Sequence, residues 1–227
     1  MLEACPELLE ISLGGFCDTI TKSKQKDVFT GRKDLGNTKA DTEWKLLLTF
    51  NQIDKIIQKI ADHINKEFEG QDIVLACILK GAVFFYVLLA QKLKIPYTCY
   101  FIEASSYKDG QTQDEQLEFL SKIIPSKFIN KIVILIDELF DNGLTMINVA
   151  NHICKTCDIP KEKIFSCTLF LKKKGGCFLD NAELVKKPDL FGIALPDVWL
   201  VGMGLDNQQL LRGWTNLYAC PKMDGVP

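Results

Sequence analysis

Arginine and histidine are scarce in this chain of 227 residues: only Arg32 and Arg212 are arginine among the 27 basic side chains, and the histidines are His63 and His152 alone. The 29 acidic residues leave a net charge of -2. That balance does not suit a protein whose main business is to neutralise phosphate backbones, so no nucleic-acid partner is expected. Long apolar runs are missing as well. The longest, Ala82 to Ala90, has nine residues, against the roughly 20 that a membrane-spanning helix needs, so no membrane association is expected. The amino terminus carries Glu3, Glu7 and Glu10 and no basic stretch, which does not read as a secretory signal. Neither a Gly-x-x-x-x-Gly-Lys-Ser/Thr phosphate loop nor a Gly-x-Gly-x-x-Gly turn after a strand is present, and there is no internal repeat or low-complexity tract.

Cysteine is plentiful by comparison, with nine residues, an odd number. Cys77 and Cys167 lie inside apolar runs and read as small buried hydrophobes. A disulfide scaffold is not expected, and a reducing cytoplasm is the expected location. Cys154-Lys155-Thr156-Cys157 near His152 invites a metal or redox reading. Zinc would need a second pair of ligands at suitable spacing, and a redox pair belongs at a helix start after a strand, whereas this pair closes a helix. His63 and His152 read as surface or capping residues.

Residues 1 to 48 are weakly patterned and read as an extended arm or part of a lid. From Thr49 onward, Ile53, Ile56, Ile57, Ile60, Ile64 and Phe68 recur at helical spacing with Gly70 at the exit. An apolar strand at 73–79, a helix from about Val83 to Leu93 and a strand from about Tyr97 to Ile102 follow. Residues 104 to 127 are polar, with a weakly helical stretch from Leu117 to Ile124; polar segments of that length inside a compact chain are usually functional or mobile. Ile132-Val133-Ile134-Leu135-Ile136 is a buried central strand, a helix runs from about Leu144 to Cys154, and strands are expected at 164–171, 190–194 and 199–202. Apolar strands alternating with helices predict an α/β fold with a mostly parallel sheet and flanking helices. A core of about 49–195 is expected, with a small hood from 1–48 and 196–227.

The end of the most buried strand delivers three carboxylates, Asp137, Glu138 and Asp141, then Asn142, Gly143 and Thr145 at a helix start. Ligands of open α/β sheets bind beyond the carboxyl ends of the strands. A loop of small residues opening onto a helix presents free backbone N–H groups to a phosphate. The acids beside it suit sugar hydroxyls, a developing positive charge, or Mg²⁺ reached through water. Together they imply a ligand with phosphate at one end and ribose at the other; the plainer alternative is a solvated acidic loop with a helix cap.

This stretch resembles the 5-phosphoribosyl-1-pyrophosphate motif of the type I phosphoribosyltransferases: four apolar residues, two acids, two apolar residues, Asp, a small residue, Gly, x, Thr. The wider chain is similar to the hypoxanthine-guanine phosphoribosyltransferases, including the divergent guanine phosphoribosyltransferases of protozoa, colinearly from about residue 50 to 214. The resemblance implies phosphoribosyl binding by Asp137, Glu138, Asp141, Asn142, Gly143, Leu144 and Thr145. It implies pyrophosphate binding by Lys80 and Gly81, in a loop that commonly holds a non-proline cis peptide, and by Ser106, Tyr107 and Arg212. Lys172 would read the purine 6-oxo group, Trp199 would stack on the base, and Leu139, Leu200 and Asp206 would complete the purine site. Mg²⁺ is the implied cofactor, linked to Asp206 partly through water and to Asp137 and Glu138 via ribose or water. Asp141 would take the N7 proton as guanine attacks through N9.

The resemblance therefore implies purine salvage: phosphoribosyl transfer from 5-phosphoribosyl-1-pyrophosphate to guanine, giving GMP and pyrophosphate, by a homodimeric cytoplasmic enzyme. Broader use of hypoxanthine and xanthine is the alternative, and a non-catalytic nucleotide-sensing regulator is the rival from another class. The chain also departs from the family pattern. The acidic pair is Asp137-Glu138 in place of Glu-Asp, Leu144 stands where Lys is common, Gly175-Gly176 replace Pro-Arg, and Glu103 lies where a basic residue is frequent. Weaker diphosphate binding is expected, or compensation from Lys173, Lys174 or the amino-terminal arm.

Overall fold

The computed structural model describes residues 44–106, 117–173 and 187–220. The arm before residue 44, Tyr107, Lys174, Gly175 and Gly176 lie outside the described residues, and of Ser106 only the backbone is described. The elements run β1 (Lys45–Leu48), α1 (Phe50–Glu67), β2 (Ile73–Leu79), α2 (Val83–Ala90), β3 (Tyr97–Ser106), β4 (Leu117–Phe119), β5 (Ile132–Phe140), α3 (Leu144–Cys157), β6 (Ile164–Lys173), β7 (Leu190–Pro196), β8 (Trp199–Val201) and β9 (Leu217–Cys220).

Six strands form one sheet in the order β4-β3-β2-β5-β6-β7. All neighbours in it are parallel except β4, which returns antiparallel along β3. Strand side chains alternate between two apolar clusters. Leu75, Cys77, Ile134, Ile136 and Leu169 pack with α1 and α2, whereas Val74, Ala76, Val133 and Leu135 pack with Met146, Val149 and Ile153 of α3. Helices thus cover both faces, which is why β2 and β5 read as unbroken apolar runs rather than as alternating ones. A second, three-stranded antiparallel sheet has the order β1-β9-β8.

Helix α1 is built from isoleucines, whose branched side chains are only moderate helix formers, so its stability comes from the face it buries. Ile53, Ile57, Ile60 and Ile64 are fully buried. Its start is a capping box: the Thr49 hydroxyl accepts from the Gln52 amide, and the Gln52 side chain accepts from the Thr49 amide at 2.9 Å. The Phe50 amide donates to Asn216 Oδ1 at 2.8 Å, which ties the helix entry to the chain just before β9.

The structure corrects several sequence-based boundaries. Helix α2 stops at Ala90 rather than Leu93, because Asn65 of α1 accepts from the Lys94 amide and donates to the Lys92 carbonyl, drawing the chain out of the helix before Pro96. The stretch from Leu117 is a strand followed by irregular chain, not a helix. The Glu103 carbonyl accepts from the Leu120 amide, and the Tyr100 hydroxyl bonds both the Lys122 carbonyl and the Ile124 amide, so tertiary partners replace helical ones. Strand β3 continues to Ser106 and β6 to Lys173, and α3 extends one turn further to Cys157, ending on Asp158 in the left-handed region. His63 and His152 are ring-packed rather than capping, on Phe165 at 6.5 Å and on Phe119 at 3.9 Å between centroids.

Truncating the centre of the α1 face leaves a cavity that the rigid sheet cannot close. Ile57→Ala is expected to lower stability by about 2–5 kcal/mol, read as a fall in urea midpoint with an unchanged slope.

Candidate active site

From β2 the chain moves to β3 on one side and then returns to β5 on the other side of β2. The crevice between β2 and β5 is therefore the switch point where open α/β sheets bind ligands. The Leu79–Lys80 peptide at the end of β2 is cis, as the resemblance to the phosphoribosyltransferase loop led one to expect. Gly81 follows it with no room for a side chain, because the Glu138 carboxylate from β5 occupies the space a Cβ would need. A Cβ at Gly204 would in turn collide with the Gly81 carbonyl. Backbone and carboxylate approach one another here more closely than any larger residue would permit.

Asp137, the last acid under the sheet, is only 9% exposed. Burial pushes its carboxyl well above the usual carboxylate range, and the neighbouring Glu138 charge pushes the same way. One Asp137 oxygen accepts from the Glu138 amide at 3.0 Å. Across the register lies Thr168, fully buried, whose hydroxyl has no hydrogen-bond partner among the described residues. The Cys77 thiol nearby is also pushed up, first by burial and then by the charges of Asp137 and Glu138, so it is an inert core group.

Beyond β5 the chain turns into α3 at the place where the sequence leads one to expect a phosphate. Gly143 stands at the helix start with φ +76°, a left-handed conformation, and the Phe140 ring fills the space where a side chain would begin. Asn142 Oδ1 accepts from the Leu144 amide at 3.0 Å. Leu144 is exposed and Thr145 half-buried at the mouth of the turn.

Lys172 at the end of β6 sits between two carboxylates. Its Nζ lies 3.6 Å from Asp141 Oδ2 and 3.9 Å from Asp197 Oδ1. Trp199 opens β8 with 42% of its surface exposed, Leu200 beside it is buried, and Leu139 packs partly buried against the first core cluster. Trp199 therefore is not the core residue that a lone tryptophan in an apolar strand suggests.

Asp206 and Arg212 meet each other. Arg212 Nη2 lies 2.6 Å from Asp206 Oδ1, while Nη1 donates to the Gly204 carbonyl at 2.8 Å. The Gln209 amide donates to the other Asp206 oxygen at 2.7 Å. Through Gly204 this pair is anchored to the Gly81 loop. Lys80 is exposed and reaches Glu103 Oε1 at 3.9 Å, so the acid that replaces the usual basic residue sits opposite the loop's own cation. Among the described residues no three His, Cys, Asp or Glu side chains converge on a metal position. That donor set does not make a protein cage, but it fits Mg²⁺, which is commonly held by one or two carboxylates together with substrate phosphates and water.

Sequence reading passed over the contacts of three residues. The sequence pattern assigns no role to Asp197 or Gly204 and reads Glu103 only as a lost cation. Glycines flanking an apolar Met203 and an acid directly after Pro196 were the available signals, and both need the strand order to acquire meaning.

With this geometry in view, residues 43–208 match the phosphoribosyl transferase domain family. The chain belongs to that family. Its likeness within the family is to the purine, hypoxanthine-guanine type. It is 27% identical over 175 residues to a hypoxanthine-guanine phosphoribosyltransferase of Aquifex aeolicus, covering 77% of this chain and 93% of that protein. A hypoxanthine-guanine phosphoribosyltransferase of Staphylococcus aureus is 26% identical over 168 residues, covering 74% and 88%. The crystal structure of a hypoxanthine-guanine phosphoribosyltransferase from Bacillus anthracis superposes with a TM-score of 0.64 at 26% identity, covering 78% of this chain and 98% of that one.

The buried Asp137 carboxyl yields a pH signature. In the window above the ordinary carboxyl value of about 3.9, the folded chain keeps a proton there that the unfolded chain has lost, so folding stability falls as pH rises through that window. Asp137→Asn removes this loss. The difference in melting temperature between variant and wild type is expected to shift in the variant's favour from about pH 4 to about pH 8. A shift in the opposite direction in paired thermal melts rules out a carboxyl held neutral by burial.

Proposed function

We propose that the protein transfers the 5-phosphoribosyl group of 5-phosphoribosyl-1-pyrophosphate to N9 of guanine, forming GMP and pyrophosphate in purine salvage. The observation that carries this reading is the approach of Asp141 in the phosphate turn to Lys172 at the next strand end, 3.6 Å apart. A sugar-phosphate nest and a purine-reading cation thereby share one border, and on that border the bond between base and sugar has to form.

The roles follow the family resemblance, and the placement of the described residues supports them. Backbone N–H groups of Asn142, Gly143, Leu144 and Thr145 receive the 5-phosphate. Glu138 and Asp137 hydrogen-bond the ribose hydroxyls, and the negative charge of Glu138 favours the oxocarbenium character of C1 as its bond to pyrophosphate breaks, in the manner of glycoside chemistry. Asp141 accepts the N7 proton as the N9–C1 bond forms. Lys172 donates to the 6-oxo group and Trp199 stacks on the ring. Gly81, Lys80, Ser106, Tyr107 and Arg212 take the leaving pyrophosphate. Mg²⁺, held by Asp206 and through ribose or water by Asp137 and Glu138, supplies charge neutralisation when bound. Asp206, now paired with Arg212, would be its holder, and Arg212 would offer its guanidinium fork to a phosphate.

Guanine is favoured over hypoxanthine by the acceptors near the base. Strand β8 lies at the edge of its sheet with Leu200 as its middle residue, and Asp206 follows five residues beyond the strand; the Leu200 carbonyl and the Asp206 carboxylate are the acceptors for a 2-amino group. The same reading makes the enzyme a cytoplasmic homodimer. No helix among the described residues is long and apolar enough to cross a membrane. The exposed Phe84, Val87 and Phe101 on α2 and β3 give a second copy an apolar surface to cover.

Guanine, hypoxanthine, xanthine and adenine are each to be incubated with the pyrophosphate donor and Mg²⁺. Nucleotide is expected from guanine at the highest kcat/KM; equal efficiency with hypoxanthine removes the guanine preference, and no product from any 6-oxopurine removes the reading itself. Asp141→Asn is expected to lower kcat by about 10²–10⁴-fold if the carboxylate takes the proton. An unchanged kcat assigns that step elsewhere.

A further inference from the structure

Asp197 has no part in the roles above, yet it is one of two acids that bracket Lys172. Strands β5, β6 and β7 are adjacent, and Asp141, Lys172 and Asp197 stand at or just past their carboxyl ends. Lys172 on β6 stands in register with Leu195 on β7. Just past it the chain turns sharply, with the Val198 amide donating to the Pro196 carbonyl at 2.9 Å, and this turn carries Asp197 back toward the lysine. From the opposite side Asp141 arrives after β5. The Lys172 side chain is only 11% exposed, against 42% for Asp141 and 34% for Asp197.

An ammonium withdrawn this far from water needs compensation nearby. It has two carboxylates on opposite sides, and at 3.6 and 3.9 Å it lies beyond hydrogen-bond range of both. Opposed attractions of similar strength hold the cation in the middle without committing its three N–H donors to either acid. A single carboxylate would instead draw it into a direct ion pair at about 2.7–2.9 Å.

We infer that Asp197 is a positioning residue for the purine site: it holds Lys172 off Asp141, so that the ammonium stays available to a 6-oxo group while Asp141 keeps an oxygen to accept the purine proton. This rests on the phosphoribosyl-transfer reading. Without the Asp197 charge, Lys172 closes on Asp141, and the donor for the base and the acceptor for the proton are consumed by each other. Base recognition and proton transfer both weaken, while the pyrophosphate side, built on Gly81, Gly204 and Arg212, is untouched.

The test is steady-state kinetics on Asp197→Asn, which keeps the shape and removes the charge. The KM for guanine is expected to rise, and kcat/KM for guanine to fall by about ten- to a hundredfold, with the KM for the pyrophosphate donor within about twofold of wild type. Asp197→Ser should give the same pattern. Since Asp197 acts through the lysine, the double variant with Lys172→Met is expected to be no worse than Lys172→Met alone. Additive losses, a donor KM that rises in step with that of guanine, or unchanged kinetics each overturn the inference. Wild-type protein that forms no GMP overturns the reading beneath it; wild-type activity with an indifferent Asp197→Asn removes this inference alone. Calorimetric titration with GMP adds a readout independent of turnover, and binding as tight as wild type in Asp197→Asn counts against the positioning role.

Discussion

Strands β2 and β5 lie side by side in parallel register, from Ile73 opposite Ile132 to Cys77 opposite Ile136, with helices covering both faces. The pairing has no polar side chain along it, so hydrophobic burial holds it, and polar residues can appear only where the strands run out of cover. They appear together. The cis peptide and Gly81 end one strand, and Asp137 and Glu138 end the other. Everything the site does depends on those two strand ends being neighbours, a consequence of the chain passing to β3 and back across β2 before forming β5.

Closeness at that border has an electrostatic cost. Two adjacent carboxylates cannot both ionise freely when one is buried, and Asp137 is the one that resists. A buried carboxyl beside a charged one is the kind of strain expected where function overrides local stability. Glu138 lies over Gly81, where a side chain of any size would exclude it.

The cations tell a complementary story. Lys80 faces Glu103, Lys172 lies between Asp141 and Asp197, and Arg212 is paired with Asp206. Each positive group placed to meet an anionic or carbonyl oxygen is already balanced by an acid of this chain. On the proposed reading, substrate oxygens would compete with these acids for their cations rather than fill an open positive pocket.

Much of this was legible from sequence. The Ile-rich face of α1 follows from helical periodicity, β2 and β5 from unbroken apolar runs, and the nest before α3 from Asp141-Asn142-Gly143 at a strand end, because these are local consequences of side-chain shape and burial. The extent of α2 and the strand character of Leu117–Phe119 were not legible, since Asn65, Tyr100 and Glu103 capture those backbone groups from distant positions. By itself the sequence determined which segments bury, where the acids emerge and which family the chain resembles. Only the tertiary structure decided which acid faces which cation. That choice, Asp197 on Lys172 and Asp206 on Arg212, depends on strand order and turn geometry, which no local pattern encodes.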